Sequence, residues 1–247
     1  MTNSSETGHA RNVANFEKLI VGITAQGAVY NPANVQLKPE TLNSRLATAT
    51  AAHEAVNSAL TAYKNAVGVR NASFEALGKL VTRINSALKA SGAGGAVNQS
   101  ALTFIRKLQG RRASARKSEE EKQAALAKGK TVVEISASQQ GFDNRLDNLD
   151  KLIRLLASVA VYAPNETDLK VESLKQLLGK LKAENSAAAT AEALLTNARI
   201  ARNEALYHPS TGLLEVAAGV KLYVKSVFGP TSPEYKAIGG LSFKPVS

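Results

Sequence analysis

The chain has 247 residues, a net charge of +11 and no cysteine, which excludes disulfides, thiolate metal sites and a cysteine nucleophile. Aromatic residues make up 5 % and tryptophan is absent, so the apolar content suits a thin core of close-packed Ala, Leu and Val rather than a deep aromatic pocket. Met1 to Asn15 has no apolar signal core, and the run Leu19 to Tyr30 is too short to span a bilayer, so a cytoplasmic protein without a transmembrane segment is the expectation.

Residues 1–11 read as a polar leader. From Asn12 to about Gly27, Val13, Phe16, Leu19, Ile20 and Ile23 recur at helical spacing and predict a first helix. A loop with Tyr30 and Pro32 follows. From Leu42 the seam alternates steps of four and three: Leu42, Leu46, Ala49, His53, Val56, Leu60, Tyr63, Val67, Arg70, Phe74, Leu77, Val81, Ile84, Leu88. Only His53 and Arg70 break its small or apolar character. A 4-3 spacing held this long predicts one continuous helix laying a seam on other helices. Pro39 and Glu40 suit its first turn, Gly92, Gly94 and Gly95 end it, and Gly68 is the expected place for a bend. The first helical repeat is therefore 12–91.

A basic connector, 92–138, comes next. Asn98 to Gln109 reads as a helix, and Ser118-x-x-Glu121 as a capping box that opens a short charged helix to Lys128. Thr131 to Ile135 is an isolated β-like run, and Ser136 or Ser138 is the expected cap of the following helix.

The second helical repeat, 139–228, copies the first. A shift of 132 aligns residues 30–74 with 162–206 without a gap, and 14 of those 45 positions are identical, among them Tyr30/Tyr162, Pro32/Pro164, Leu37/Leu169, Leu42/Leu174 and Arg70/Arg202. A Tyr-x-Pro sequence ahead of a long helix does not arise from Ala-rich composition, so the halves read as two copies of one unit. In the second copy His208-Pro209 breaks the long helix, with Ser210 or Thr211 as the cap of its continuation. The first copy has no proline there, so its helix is expected to run through. Residues 229–247, with Gly229-Pro230, Ser232-Pro233 and Gly239-Gly240, predict an irregular tail anchored by Phe228, Tyr235, Ile238, Leu241 and Phe243. The expected fold is all-α: an elongated antiparallel helical bundle of two tandem copies, with long coiled-coil-like helices.

The stretches Glu6-Thr7-Gly8-His9-Ala10 with Asn12-Val13-Ala14-Asn15-Phe16-Glu17, Lys107-Leu108-Gln109-Gly110, Asn197-Ala198-Arg199-Ile200-Ala201-Arg202-Asn203-Glu204 and Ser226-Val227-Phe228-Gly229 resemble those of an uncharacterised family of basic, all-helical bacterial proteins with an internal duplication. The resemblance covers nearly the whole chain. It implies a helical fold and, since that family has no known activity, nothing about function.

Candidate sites are few. Ala124 to Thr131 satisfies a loose phosphate-loop pattern, but a charged helix precedes it and a β-like run follows, the reverse of what a phosphate cradle needs. His9, His53 and His208 show no metal spacing, and His53 reads as a packed, hydrogen-bonded imidazole on the seam. Asn65, Arg70 and Asn71 recur as Asn197, Arg202 and Asn203. They form either a site present twice or, as the favoured reading, structural residues whose arginine pairs with a carboxylate and fixes register. Residues 106–130 hold nine Lys/Arg against three Glu, and Arg106, Lys107, Arg111, Arg112, Arg116 and Lys117 form a candidate polyanion surface. With Phe104 its one nearby aromatic, the run lacks a base-stacking pattern, so any nucleic-acid contact would follow the phosphate backbone. The leading expectation is a non-enzymatic structural or interaction protein without a cofactor, partnered by itself or another protein. The alternative is sequence-neutral nucleic-acid binding through the connector.

Overall fold

The computed structural model describes residues 6–111, 123, 127 and 141–246. Among them there are seven α-helices and no strand. The helices are α1 (Glu6–Thr24), α2 (Pro39–Ala90), α3 (Gly95–Leu108), α4 (Phe142–Ala157), α5 (Val171–Tyr207), α6 (Leu213–Phe228) and α7 (Pro233–Gly239). Short 3-10 turns lie at Gly27–Val29, Val35–Leu37 and Thr167–Leu169. The predicted capping box, β-like run and phosphate-loop look-alike fall outside the described residues, apart from Gln123 and Ala127.

The seam in α2 is observed as read. All fourteen of its positions are buried or half-buried, and the helix is continuous through Gly68. Pro39 opens α2 and Glu40 lies in its first turn. Burial is complete at Leu42 and Val56 and again from Phe74 to Leu88, and is partial at Leu60, Tyr63, Val67 and Arg70.

Two compact units arise, and they cut through the long helices rather than following the chain. The first combines residues up to Lys64 with those from Thr190 on, and the second is Asn65–Ala189. Both α2 and α5 therefore contribute residues to both units. The core of the first unit gathers Phe16, Leu19 and Ile23 of α1, Leu42 of α2, Leu206 of α5, and Val216 and Val220 of α6. There α1 packs against α6 and α7. The core of the second gathers Phe74, Val81 and Ile84 of α2, Ile105 of α3, Leu149 and Leu152 of α4, and Leu174 and Leu181 of α5. Each of these leucines, isoleucines and phenylalanines contributes roughly 1.5–3 kcal/mol of transfer free energy.

Five boundaries differ from the sequence reading, the first being that of α3, which starts at Gly95 rather than Asn98. Helix α1 starts at Glu6, not Asn12, because His9 and Asn12 are themselves buried. Helix α4 starts after Gly141, which is its N-cap in place of the expected serine, and Ser136 and Ser138 lie outside the described residues. The break in α5 falls at His208 as expected, but Gly212 is the N-cap of α6. The His208 Nδ1 accepts from the backbone N–H groups of Ser210 and Thr211, each at 3.2 Å, which engages the residues expected to cap. A Cβ on Gly212 would stand 2.6 Å from the His208 backbone N and O, so the turn admits no side chain there. Finally, the tail contains a helix, α7, whose cap Ser232 accepts from the Tyr235 N–H at 3.1 Å and whose first residue is Pro233. The tail is anchored as expected: Ile238 is fully buried, and Phe228, Tyr235, Leu241 and Phe243 pack on the first core.

Candidate functional site

The two Tyr-x-Pro loops fold alike. The Tyr30 hydroxyl donates to the Leu37 carbonyl at 2.7 Å, and the Tyr162 hydroxyl donates to the Leu169 carbonyl at 2.9 Å. In each loop the phenol ties the segment to the end of a 3-10 turn, and the long helix begins two residues later. Both rings are buried. Burial pushes the Tyr162 phenol up to about 12, helped by the nearby carboxylates of Glu166 and Asp168. Burial also raises Tyr30, with Tyr223 as the second cause.

The surroundings of the two phenols differ. Tyr223 of α6 meets the Tyr30 ring edge-on, at 5.3 Å between centroids and 90° between planes, and its hydroxyl accepts from the Asn31 N–H at 3.2 Å. Tyr162 has no ring partner among the described residues. Beside it lies an open cleft of about 610 Å³, whose walls include Arg83, Ser86, Ser91, Tyr162, Pro164 and Glu166. On the far side of Arg83 a second groove of about 700 Å³ runs over Ala76, Leu80 and Leu177. Arg83 grips Asp168 with both guanidinium nitrogens, one of them at 3.1 Å from Oδ1, and this ion pair stands between the two openings. The hydrogen bond from Arg83 holds the Asp168 carboxyl below the usual carboxylate range, and Asp168 in turn raises Arg83.

Comparison with protein-family models, with curated proteins and with solved structures gave no match.

The residues singled out in the sequence are not brought together. Arg106 and Lys107 lie half-buried in the last turn of α3, each with an interaction partner, and Arg111 is exposed just beyond it. Arg112, Arg116 and Lys117 lie outside the described residues. The shared arginines have different surroundings. The Arg70 guanidinium stacks on Phe142 at 3.9 Å and donates to Asn185 Oδ1 at 3.4 Å, and Asn185 donates on to Asp143 Oδ1 at 2.8 Å. A carboxamide thus stands between the arginine and the carboxylate expected to pair with it. Arg202 is buried and donates to Asn203 Oδ1 at 2.9 Å. The four asparagines, Asn65, Asn71, Asn197 and Asn203, are exposed. His53 is half-buried on the seam as read, but its Nδ1 has no hydrogen-bond partner. No group of three or more metal-ligating side chains occurs among the described residues.

One polar cluster escaped the sequence reading. His9 Nδ1 and the Tyr207 hydroxyl are 2.7 Å apart, and Asn12 donates to the same hydroxyl at 3.3 Å. Asn12 also grips the extended C-terminal segment, donating to the Lys244 carbonyl at 2.7 Å and accepting from the Lys244 N–H at 3.1 Å, while Asn15 donates to the Ser242 carbonyl at 2.7 Å. Gly8, a turn before Asn12, leaves room for Val246, whose Cγ2 a Cβ there would meet at 2.6 Å. The spacing Gly8, Asn12, Asn15 on one helical face was the available signal. It became readable only once residues 6–11 were known to be helical.

Proposed function

We propose that the chain is a non-enzymatic helical interaction module, built from a duplicated helical unit and able to self-associate. One observation carries the interaction part of the reading: two loops of the same construction differ in that one is filled from within the chain and the other opens on a cleft. A loop whose packing is complete serves the fold. A loop of the same build left open beside an exposed ion pair and apolar walls has the character of a contact surface.

The duplication is supported by the offset of 132 residues, which relates the two phenols, the carbonyls they bind, the 3-10 turns and the first residues of the long helices, Pro39 and Val171. Each compact unit then combines the first part of one copy with the last part of the other, since α2 and α5 are shared between the units. Among the described residues no helix is long and apolar enough to cross a membrane.

Light scattering and lysine crosslinking of the purified chain across a wide concentration range test self-association. A mass that rises with concentration is expected, and a monomer at every concentration removes that part of the proposal.

A further inference from the structure

We propose that the cleft beside Tyr162 receives an aromatic side chain, of the tyrosyl type, from a different protein. The inference rests on the interaction-module reading and adds to it the chemistry of the partner's anchor.

The template for the occupant is inside the molecule. At Tyr30 the ring is completed by Tyr223, packed edge-on from α6. The residue 132 positions before Tyr223 is Ser91, and it lines the cleft beside Tyr162. The same positional relation that places a phenol on one loop therefore places a hydroxymethyl group on the other. A serine cannot fill the volume of a tyrosyl ring, and the difference is the open space. The neighbouring turn agrees: Ala87 lines the cleft, and its counterpart Gly219 lies under Leu37, whose Cδ2 a Cβ there would meet at 3.2 Å. The wall thus keeps the small residues of a site built to accept a ring.

The chemistry of the rim fits such an anchor. Val161 at the edge is 55 % exposed and offers an apolar lip. Arg83 has N–H groups beyond the two it gives to Asp168 and can donate to a phenolic oxygen, while the Ser86 and Ser91 hydroxyls, which donate to the Thr82 and Leu88 carbonyls, can accept from a phenolic O–H. An edge-to-face contact with Tyr162 adds about 0.5–1.5 kcal/mol beyond area burial. Buried tyrosines are also frequent energetic centres of protein interfaces.

The ring has to come from another protein. All six tyrosines and six phenylalanines of this chain are buried or half-buried, and there is no tryptophan, so a second copy presents no exposed ring.

The test is an NMR titration of the isotopically labelled full chain with p-cresol, the side chain of tyrosine, and with cyclohexanol as a non-aromatic control. Saturable shifts of amides in 161–169 and 86–91 are expected with p-cresol and not with cyclohexanol. Ser91→Tyr should abolish them and raise Tm by about 2–4 °C, because it restores the ring from within. Ala87→Leu, which narrows the cleft from the adjacent turn, serves the same purpose if Ser91→Tyr does not fold. Absence of shifts, equal shifts with cyclohexanol, or unchanged p-cresol binding in the filled variant overturns the inference. A chain that assembles in light scattering but leaves the cleft untouched by p-cresol refutes this inference and retains the broader reading. A monomeric chain that binds p-cresol in the cleft supports the inference and removes only self-association.

Discussion

The Tyr30 and Tyr162 loops solve one local problem identically and a second problem differently. Both use a buried phenol to hold a carbonyl seven residues ahead, at Leu37 and Leu169. That bond sets the loop path and the start of the long helix, so it is fixed by local geometry. What fills the space beside the ring is set by a residue far away in sequence: Tyr223 for Tyr30 and Ser91 for Tyr162. Local architecture and cleft occupancy are therefore separable, and one can change without the other. The second groove follows the same logic. At its wall stands Leu177, whose counterpart Arg45 reaches Gln36 and the Thr211 carbonyl instead.

The strongest way to break the contrast is to empty the filled loop. Tyr223→Ser deletes the edge-on ring and leaves the Asn31 N–H without its acceptor. Because Tyr223 is half-buried, we expect a loss of about 2–3 kcal/mol in urea unfolding, below the largest aromatic truncations. The emptied loop should also acquire p-cresol-dependent amide shifts around Tyr30. Normal stability in this variant would show that Tyr223 is not a packing element and would remove the template for the occupant.

Removing the shared element should affect both loops similarly. Tyr30→Phe and Tyr162→Phe each leave a carbonyl unsatisfied, and an expected loss of about 1–2 kcal/mol apiece can be read from urea midpoints. The pH dependence has a definite sign. A phenol whose folded pKa is raised contributes stability that is complete below its unfolded value, roughly 10. For Tyr162 that contribution is lost as pH rises toward about 12. Parent and Tyr162→Phe curves should therefore converge over that alkaline window, and parallel curves through it would refute the assignment.

Much of the fold was legible from periodicity. A seam of fourteen positions is redundant, so two polar members did not obscure it, and the proline after His208 and the glycines after Ala90 ended the helices where expected. The errors came where side chains far apart in sequence replace local signals. Residues 6–11 lack an apolar repeat, and their helix is defined by His9 and Asn12, which bond to Tyr207 and Lys244. Ser210 and Thr211 looked like caps, but the His208 imidazole engages their N–H groups. Ser232 followed by Pro233 was a helix start read as a turn, since a seven-residue helix leaves too little periodicity to detect. The cleft was out of reach for a related reason. The 14 sequence identities read at the offset of 132 lie within 30–74 and 162–206, and the deciding pair, Ser91 and Tyr223, lies beyond that window, where identity has faded.

The smallest expected effect concerns the ion pair between the two openings. Arg83 and Asp168 are about half exposed, at 53 % and 52 %, so solvent screens their attraction and the stability change in Asp168→Asn should be below that of either tyrosine variant. Its pH signature is still diagnostic. The folded carboxyl is held below its usual range by the hydrogen bond from Arg83, so the stabilisation is complete above the ordinary Asp value of roughly 4 and lost as pH falls through the lower folded value. Parent and Asp168→Asn should differ at neutral pH, converge in acid, and differ less in high salt. The counterpart Gln36, held by Arg45, is uncharged, so Gln36→Ala should show no acid-dependent convergence of this kind. A matching acid dependence in both variants would place its origin outside the Arg83–Asp168 pair. Its presence in Asp168→Asn alone would assign it to an ion pair between the two openings, where the counterpart in the filled loop is a cation held by an uncharged amide.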